Sequence, residues 1–300
     1  MTLRTWLPAV ACCGTLFLLL SSVNAEDKDK AKAATLRIGT TQSMFRDTPA
    51  WQVQFAMRPF KKMLEEETGM TGEVVTGGDP EHLGADLSDN KVQLAVFQGV
   101  EFAWARLKNP KLQPLIICVN KEKFVKATLV VRADSKANAA ADLHGETIAL
   151  PRMSREHCHL FLERRCAKAD EAPEKSFAKI TTPANAEDAL DDVVDGALAG
   201  AVIDLAALEA YKARKPGRGE KLKVLLQSEA FPCGIVACNP GTLDEATVGK
   251  IKTALLNANK TTQGKNFLAL CRITGFENVP DNYEQLFKDI AKAYPPTATK

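Results

Sequence analysis

The sequence predicts an α/β fold of two lobes, built on mixed, mostly parallel sheets with helices on both faces. Three observations carry this. Short runs rich in Val, Ile and Leu alternate with helical stripes of apolar residues, which is the pattern of strands crossed over by helices. The alternation pauses at two adjacent strand-like runs, Pro114 to Val119 and Ala127 to Val131, and then restarts. A chain of 300 residues, 45% of them hydrophobic, is long enough for two cores of ordinary domain size.

Residues 1–25 read as an export signal. Arg4 is their only charge, and an apolar run extends from Trp6 to Leu20. Small and polar residues then lead to Val23-Asn24-Ala25, an A-x-A-like cleavage site before Glu26. The run falls short of the roughly 20 residues a membrane-spanning helix needs. Ala9-Val10-Ala11-Cys12 loosely resembles a lipobox, but Cys12 comes before the apolar run is complete. Residues 26–33, charged and alanine-rich, read as a flexible leader. The exported chain is expected to begin at Glu26 and to be periplasmic or otherwise extracytoplasmic. Its formal net charge of +2, lowered by one when Arg4 is lost, argues against nucleic acid or an anionic membrane as the main partner.

Each element follows from local pattern. Leu36 to Gly39 is a strand running into the polar loop Thr40–Ser43. Thr48 as N-cap and Pro49 at the first turn open a helix with apolar residues at Val53, Ala56, Met57, Phe60, Met63 and Leu64, which Gly69 stops. Glu73 to Thr76 is a strand, and Gly77 to Pro80 turns into a short helix reaching about Leu87. Val92 to Phe97 is a third strand, and Gln98-Gly99 opens a helix at Val100. After the strand pair, a short helix at Ala139–Asp142 precedes the strand Thr147 to Leu150, and a helix runs from Ser154 to about Lys168. Ala178 to Thr181, Ala201 to Ile203, Leu222 to Leu226 and Gly234 to Ala237 are later strands. A stripe from Ala186 to Leu198 lies opposite the acidic face Glu187–Asp195, another helix spans Leu205 to Arg214, and helices at 243–257 and 282–294 close the chain. Lys215 to Gly219 reads as a surface loop. Crossings between lobes are expected near Arg132–Asp134 and Glu229–Phe231. This gives lobe one as 34–132 with 233–300, and lobe two as 133–232.

Of the eight cysteines, Cys12 and Cys13 belong to the export signal. Cys118, Cys158, Cys166, Cys233, Cys238 and Cys271 remain. An even number in an oxidising compartment permits disulfides, and the burial habit of cysteine permits free thiols; both stay open.

Chemistry is expected beyond the carboxyl ends of the strands, against helix N-termini. The candidate ligand-binding residues are Thr40, Thr41 and Gln42; Phe97, Gln98 and Gly99; Ser154, Arg155, Glu156 and His157; and Asp204. Their backbone N–H groups favour an anion, Ser154 adds a hydroxyl donor, and Asp204 serves equally well as the N-cap of the next helix. His157, Cys158 and His159 are metal-ligand types at the wrong spacing, since zinc-binding helices place ligands at i, i+4. Cys158 beside His157 lacks an orienting partner for nucleophilic catalysis. No CxxC, HExxH, GxSxG or Walker A pattern occurs. No enzyme activity, metal or cofactor is expected.

Leu36 to about Gln227 resembles, in element order, the substrate-binding subunits of ABC uptake systems with the type II periplasmic binding fold, and most of all the phosphate/phosphite/phosphonate group. Four stretches carry the resemblance. They are Leu36 to Gly39 with the polar loop after it; Asn90 to Phe97; Leu129 to Ser135 followed by Ala141 to Gly145; and Asp195 to Asp204. The departures fall at the ligand site. The family's serine/threonine-rich loop is here Ser154-Arg155-Glu156-His157, its cleft aromatic corresponds to Pro80, and its Gly-Pro to Gln98-Gly99. Only Ser154 and Asp204 match it in chemistry.

The resemblance implies a monomer that closes on a small, anionic, phosphate- or phosphonate-like solute and delivers it to an ABC permease. The alternative is a protein of the same fold that has lost transport and serves a membrane sensor or interaction partner. A third, from another class, is an exported thiol or metal enzyme using Cys158.

Overall fold

The computed structural model describes residues 34–46 and 48–296. The expected export signal and leader lie outside the described residues. Among the latter, no helix is long and apolar enough to cross a membrane.

The chain opens with β1 (Thr35–Thr41), which places Leu36 and Ile38 on one face, two residues apart as the pleat requires. They pack on Phe60, Met63 and Leu64. Those three belong to α2 (Arg58–Thr68), which follows α1 (Ala50–Ala56). One helix capped by Thr48 was expected. Two form, with Pro49 and not Thr48 at the N-cap position. Pro59 accounts for the break at Met57: it has no N–H to donate, and its ring clashes with the preceding turn. Gly69 stops α2 as expected, at φ +73°.

Next come β2 (Thr71–Gly78), α3 (Pro80–Ser88), β3 (Leu94–Phe97), α4 (Gly99–Lys108) and β4 (Gln113–Val119). Asp79 caps α3 by accepting from the His82 N–H at 2.9 Å. A short β5 (Phe124–Val125) leads to β6 (Ala127–Arg132), β7 (Thr147–Ala149), α5 (Glu156–Phe161), α6 (Pro173–Ser176), β8 (Lys179–Thr181) and α7 (Ala186–Val194). Then follow β9 (Gly200–Asp204), α8 (Leu205–Arg214), α9 (Pro216–Gly219) and β10 (Leu222–Gln227). The chain returns through β11 (Phe231–Pro232) and β12 (Gly234–Cys238), and continues with α10 (Glu245–Leu256), α11 (Thr262–Leu270), β13 (Gly275–Glu277) and α12 (Tyr283–Ala293).

Two sheets result, one of order β13-β4-β12-β3-β1-β2 and one of order β10-β6-β9-β7-β8. Parallel pairing is confined to β3-β1-β2 and β9-β7-β8, a smaller share than the expected mostly parallel sheets. The strands that bring the chain across, β6 and β12, run antiparallel to every neighbour. Apolar clusters cover both faces of both sheets. The molecule is thus a two-lobed α/β protein with helices on either side of each sheet.

Three local expectations are corrected. Residues 127–132, expected with lobe one, ladder into the second sheet as β6, so the first passage lies in residues 120–126 and not at Arg132–Asp134. The helix expected from Ser154 begins at Glu156, with Arg155 in the extended N-cap conformation, and widens into a π-turn at Leu162–Cys166. Residues 215–219, expected as a surface loop, close into the single turn α9, where a Cβ on Gly219 would press within 2.9 Å of Lys212.

The two passages run side by side, because β5 pairs with β11 as a separate antiparallel ribbon. The Tyr283 hydroxyl donates to the Lys123 carbonyl and accepts from the Cys233 N–H at 3.2 Å, so one side chain of α12 touches both passages.

Candidate functional site

Strand ends and helix starts from both sheets converge on a cleft of about 300 Å³. Thr40 reaches it from the end of β1, Gln98 from the N-cap of α4, Arg152 to Arg155 from the loop after β7, and Cys271 and Arg272 from the end of α11. Arg46, Arg152, Arg155 and Arg272 all line it, and among the described residues no acidic one does. Thr40, Ser43, Thr48 and Ser154 line it with them. The Thr40 hydroxyl is buried and has no hydrogen-bond partner among the described residues, a condition that costs about 1–3 kcal/mol unless something else bonds it.

The loop after β1 is held from beneath by Glu101, in the first turn of α4. This buried carboxylate accepts from the Thr41 hydroxyl at 2.8 Å, from the Ser43 hydroxyl and from the Gln98 N–H at 2.9 Å. Burial pushes its carboxyl up to about 7 against the pull of those donors, and the charge of Glu156 pushes the same way. Glu156 itself, at the start of α5, pairs with Arg46 across the cleft; burial raises its carboxyl despite that partner.

Arg155 donates to the Arg272 carbonyl at 3.0 Å and, more weakly, to the Cys271 carbonyl at 3.5 Å. Its partner is unusual. Arg272 sits just past the end of α11 at φ +51°, the left-handed position that favours glycine. The Arg272 N–H bonds the Ala269 carbonyl and the Ile273 N–H the Leu268 carbonyl, which closes a Schellman turn. An arginine is therefore held where glycine would fit better, at a position that lines the cleft.

His157 is buried with its Nε2 3.1 Å from an Asp204 carboxylate oxygen. The other Asp204 oxygen accepts from the Ala206 N–H at 2.8 Å, so this residue caps α8 as well. Burial pushes the Asp204 carboxyl up, but the His157 bond and charge, the Arg155 charge and the Ala206 N–H together hold it below its ordinary value.

The candidate residues therefore separate. Thr40, Gln98, Ser154 and Arg155 line the cleft. Thr41 is turned onto Glu101, and Gln42 begins the one-turn 3-10 helix Gln42–Phe45. Phe97 is fully buried against Phe102, with ring centroids 5.7 Å apart. At Gly99 a Cβ would lie 2.1 Å from the Pro232 carbonyl oxygen, so glycine there lets α4 abut the crossing strand. Glu156 faces Arg46, and His157 faces Asp204. Glu101, Arg46 and Arg272 were not anticipated. A glutamate three residues after Gln98 is the pattern that marks Glu101 as an N-terminal capping carboxylate.

All six cysteines from Cys118 to Cys271 are free thiols. Burial pushes Cys118 up to about 12 and Cys233 and Cys271 up to about 11, and raises Cys158 well above the usual thiol range. Among the described residues, no three His, Cys, Asp or Glu side chains gather as a metal-holding group.

The profile of the family described as "ABC transporter, phosphonate, periplasmic substrate-binding protein" matches residues 44–283. No curated protein sequence matches the chain. Among solved structures, a Xanthomonas citri protein bound to chloride is similar at TM-score 0.59 and 16% identity, over 87% of this chain and 97% of that one. PhnD1 from Prochlorococcus marinus, in complex with methylphosphonate, is similar at TM-score 0.56 and 16% identity, over 86% and 97%. A binding protein component of an ABC phosphonate transporter from Pseudomonas aeruginosa is similar at TM-score 0.54 and 16% identity, over 87% and 88%.

Proposed function

The chain belongs to the family of periplasmic substrate-binding proteins of phosphonate ABC transporters, and on that premise we propose that it captures an oxyanion between its two lobes and hands it to a permease. The observation that carries the proposal is the cleft wall: four arginines line the cavity together with Thr48 and Ser154, and among the described residues no acidic one does. Guanidinium forks match tetrahedral oxyanions in geometry and strengthen bonds with charge.

Closure would bend the paired passages β5 and β11 and bring Arg152 to Arg155 toward Thr40 and Gln98. Lobe one would then be residues 34–119 with 234–296, and lobe two 127–227. A ligand touching both sets stabilises the closed form by its differential affinity for it. The chain would work outside the cytoplasm as a monomer, after removal of residues 1–25. Binding without catalysis is supported by the cysteines, whose thiols burial keeps protonated at neutral pH. Asp204, His157 and Glu156 would shape lobe two behind the ligand and not touch it.

A thermal-shift panel of phosphate, phosphite, methylphosphonate, phenylphosphonate, sulfate and acetate tests the proposal. A ligand present at about 100 times its Kd stabilises by about 2.7 kcal/mol. A rise with phosphorus oxyanions, with a smaller radius of gyration in solution scattering, is expected. No shift with any anion would overturn it.

A further inference from the structure

The arginines occupy only part of the cleft wall. The remainder is apolar: Met44, Phe45, Met153, Leu270 and Ile273 present the surface, and Phe60, Phe267 and Phe276, each at most 6% exposed, back it from the core. The three phenylalanine rings touch in series, with centroids 4.8 Å apart from Phe60 to Phe267 and 6.2 Å from Phe267 to Phe276. At the lining, Leu270 and Met153 are more than half exposed, an arrangement that leaves apolar surface facing an open site. A bare tetrahedral oxyanion would fill one corner of a space of about 300 Å³ and leave the floor wetted.

We propose that the ligand is an amphiphilic organic anion, a phosphonate or phosphate monoester whose head meets the arginines and whose alkyl or aryl tail, of about four to eight carbons, lies on the apolar floor that the phenylalanines back. The proposal rests on the cleft being an anion site and adds what the anion carries. Each methylene moved from water onto such a floor is worth roughly a fourfold gain in affinity. Inorganic phosphate and methylphosphonate should therefore bind weakly, and hexylphosphonate or phenylphosphonate tightly.

Titration calorimetry on the chain beginning at Glu26 tests this with phosphate, the methyl, butyl, hexyl, octyl and phenyl phosphonates, and hexanol. Affinity should climb about fourfold per carbon from methyl to hexyl and level off by octyl. Ile273→Phe, which fills the floor, should cut the ratio of hexyl to methyl affinity at least tenfold. Leu270→Ser should cut it less, being at the exposed edge. Equal affinity for methyl and hexyl phosphonates would overturn the tail while leaving the anion site standing. Hexanol binding as tightly as hexylphosphonate would overturn both, and so would binding of none of these compounds.

Discussion

The Arg155 guanidinium donates to the Arg272 carbonyl at 3.0 Å, which ties the loop after β7 to the end of α11 across the cleft. Because Arg155 also faces the cavity, it can serve a bound anion and the closed geometry together. Arg155→Ala should cost about 2–3 kcal/mol of binding to the tightest anion of the panel, measured by calorimetry. Arg155→Lys should recover only part of it, since an ammonium cannot span two acceptors as a guanidinium fork does. Unchanged affinity in both variants would remove Arg155 from the site.

Arg272 offers an opposed pair of outcomes. Glycine at its left-handed position relieves backbone strain, so Arg272→Gly should raise stability by up to about 1 kcal/mol, after allowing for the looser unfolded chain. The same change removes an arginine from the cleft lining and should weaken anion binding about tenfold or more. Denaturant melts and titrations on one sample read both. A loss of stability would show that the arginine is held by packing and not for its charge.

Glu101 predicts a pH dependence. In the unfolded chain its carboxyl titrates near 4.5, and in the fold burial moves it to about 7. Between those values the native state holds a proton that the unfolded state has released, so this group's contribution to stability falls as pH rises through that window. At about 1.4 kcal/mol per unit the loss is about 3 kcal/mol by pH 7, complete somewhat above it. Urea melts from pH 4 to 8 should show the decline steeper in the parent than in Glu101→Gln. Parallel curves would mean that Glu101 is ionised throughout.

Tyr283→Phe should lower stability by about 1–3 kcal/mol. It strands the Cys233 N–H and the Lys123 carbonyl in a place water reaches poorly, since Tyr283 is only 2% exposed. Differential scanning calorimetry should find the Tm down by several degrees. Ligand affinity in this variant should change with it, because both bonded groups lie on the passages between the sheets. A Tm equal to the parent's would show that the hydroxyl is dispensable there.

Much of the fold was legible because its signals are local. The opening strand at Leu36, the Asp79-Pro80 start of α3, the Gly69 stop and the span of α8 each follow from residues within a few positions. Where legibility failed, the cause was a single competing residue or a partner distant in sequence. Pro59 split a helix whose apolar stripe runs on unbroken. β13 is only Gly275–Glu277, and α11 buries little beyond Phe267 and Leu268, so neither has a periodic stripe to read. That Thr40, Gln98, Ser154 and Arg155 line the cleft was legible because strand ends and helix starts point to clefts. Arg46 and Arg272 were not, because nothing near them in sequence says that Glu156 and the loop of Arg155 lie opposite.

The position of β12 governs the order in which the molecule can be assembled. Residues 234–238 lie between β3 and β4 in the first sheet, yet they follow every strand of the second. Strands β6 to β10 come from one unbroken stretch, so the second sheet can close from its own residues alone. A chain emerging amino terminus first therefore leaves β3 and β4 without the strand that joins them until most of its length is out. Closing so long a span is slow, and the unpaired edges are open to wrong partners in the meantime. The sheet that is begun first is finished last, and the interval before β12 docks is when this protein would most need a holdase.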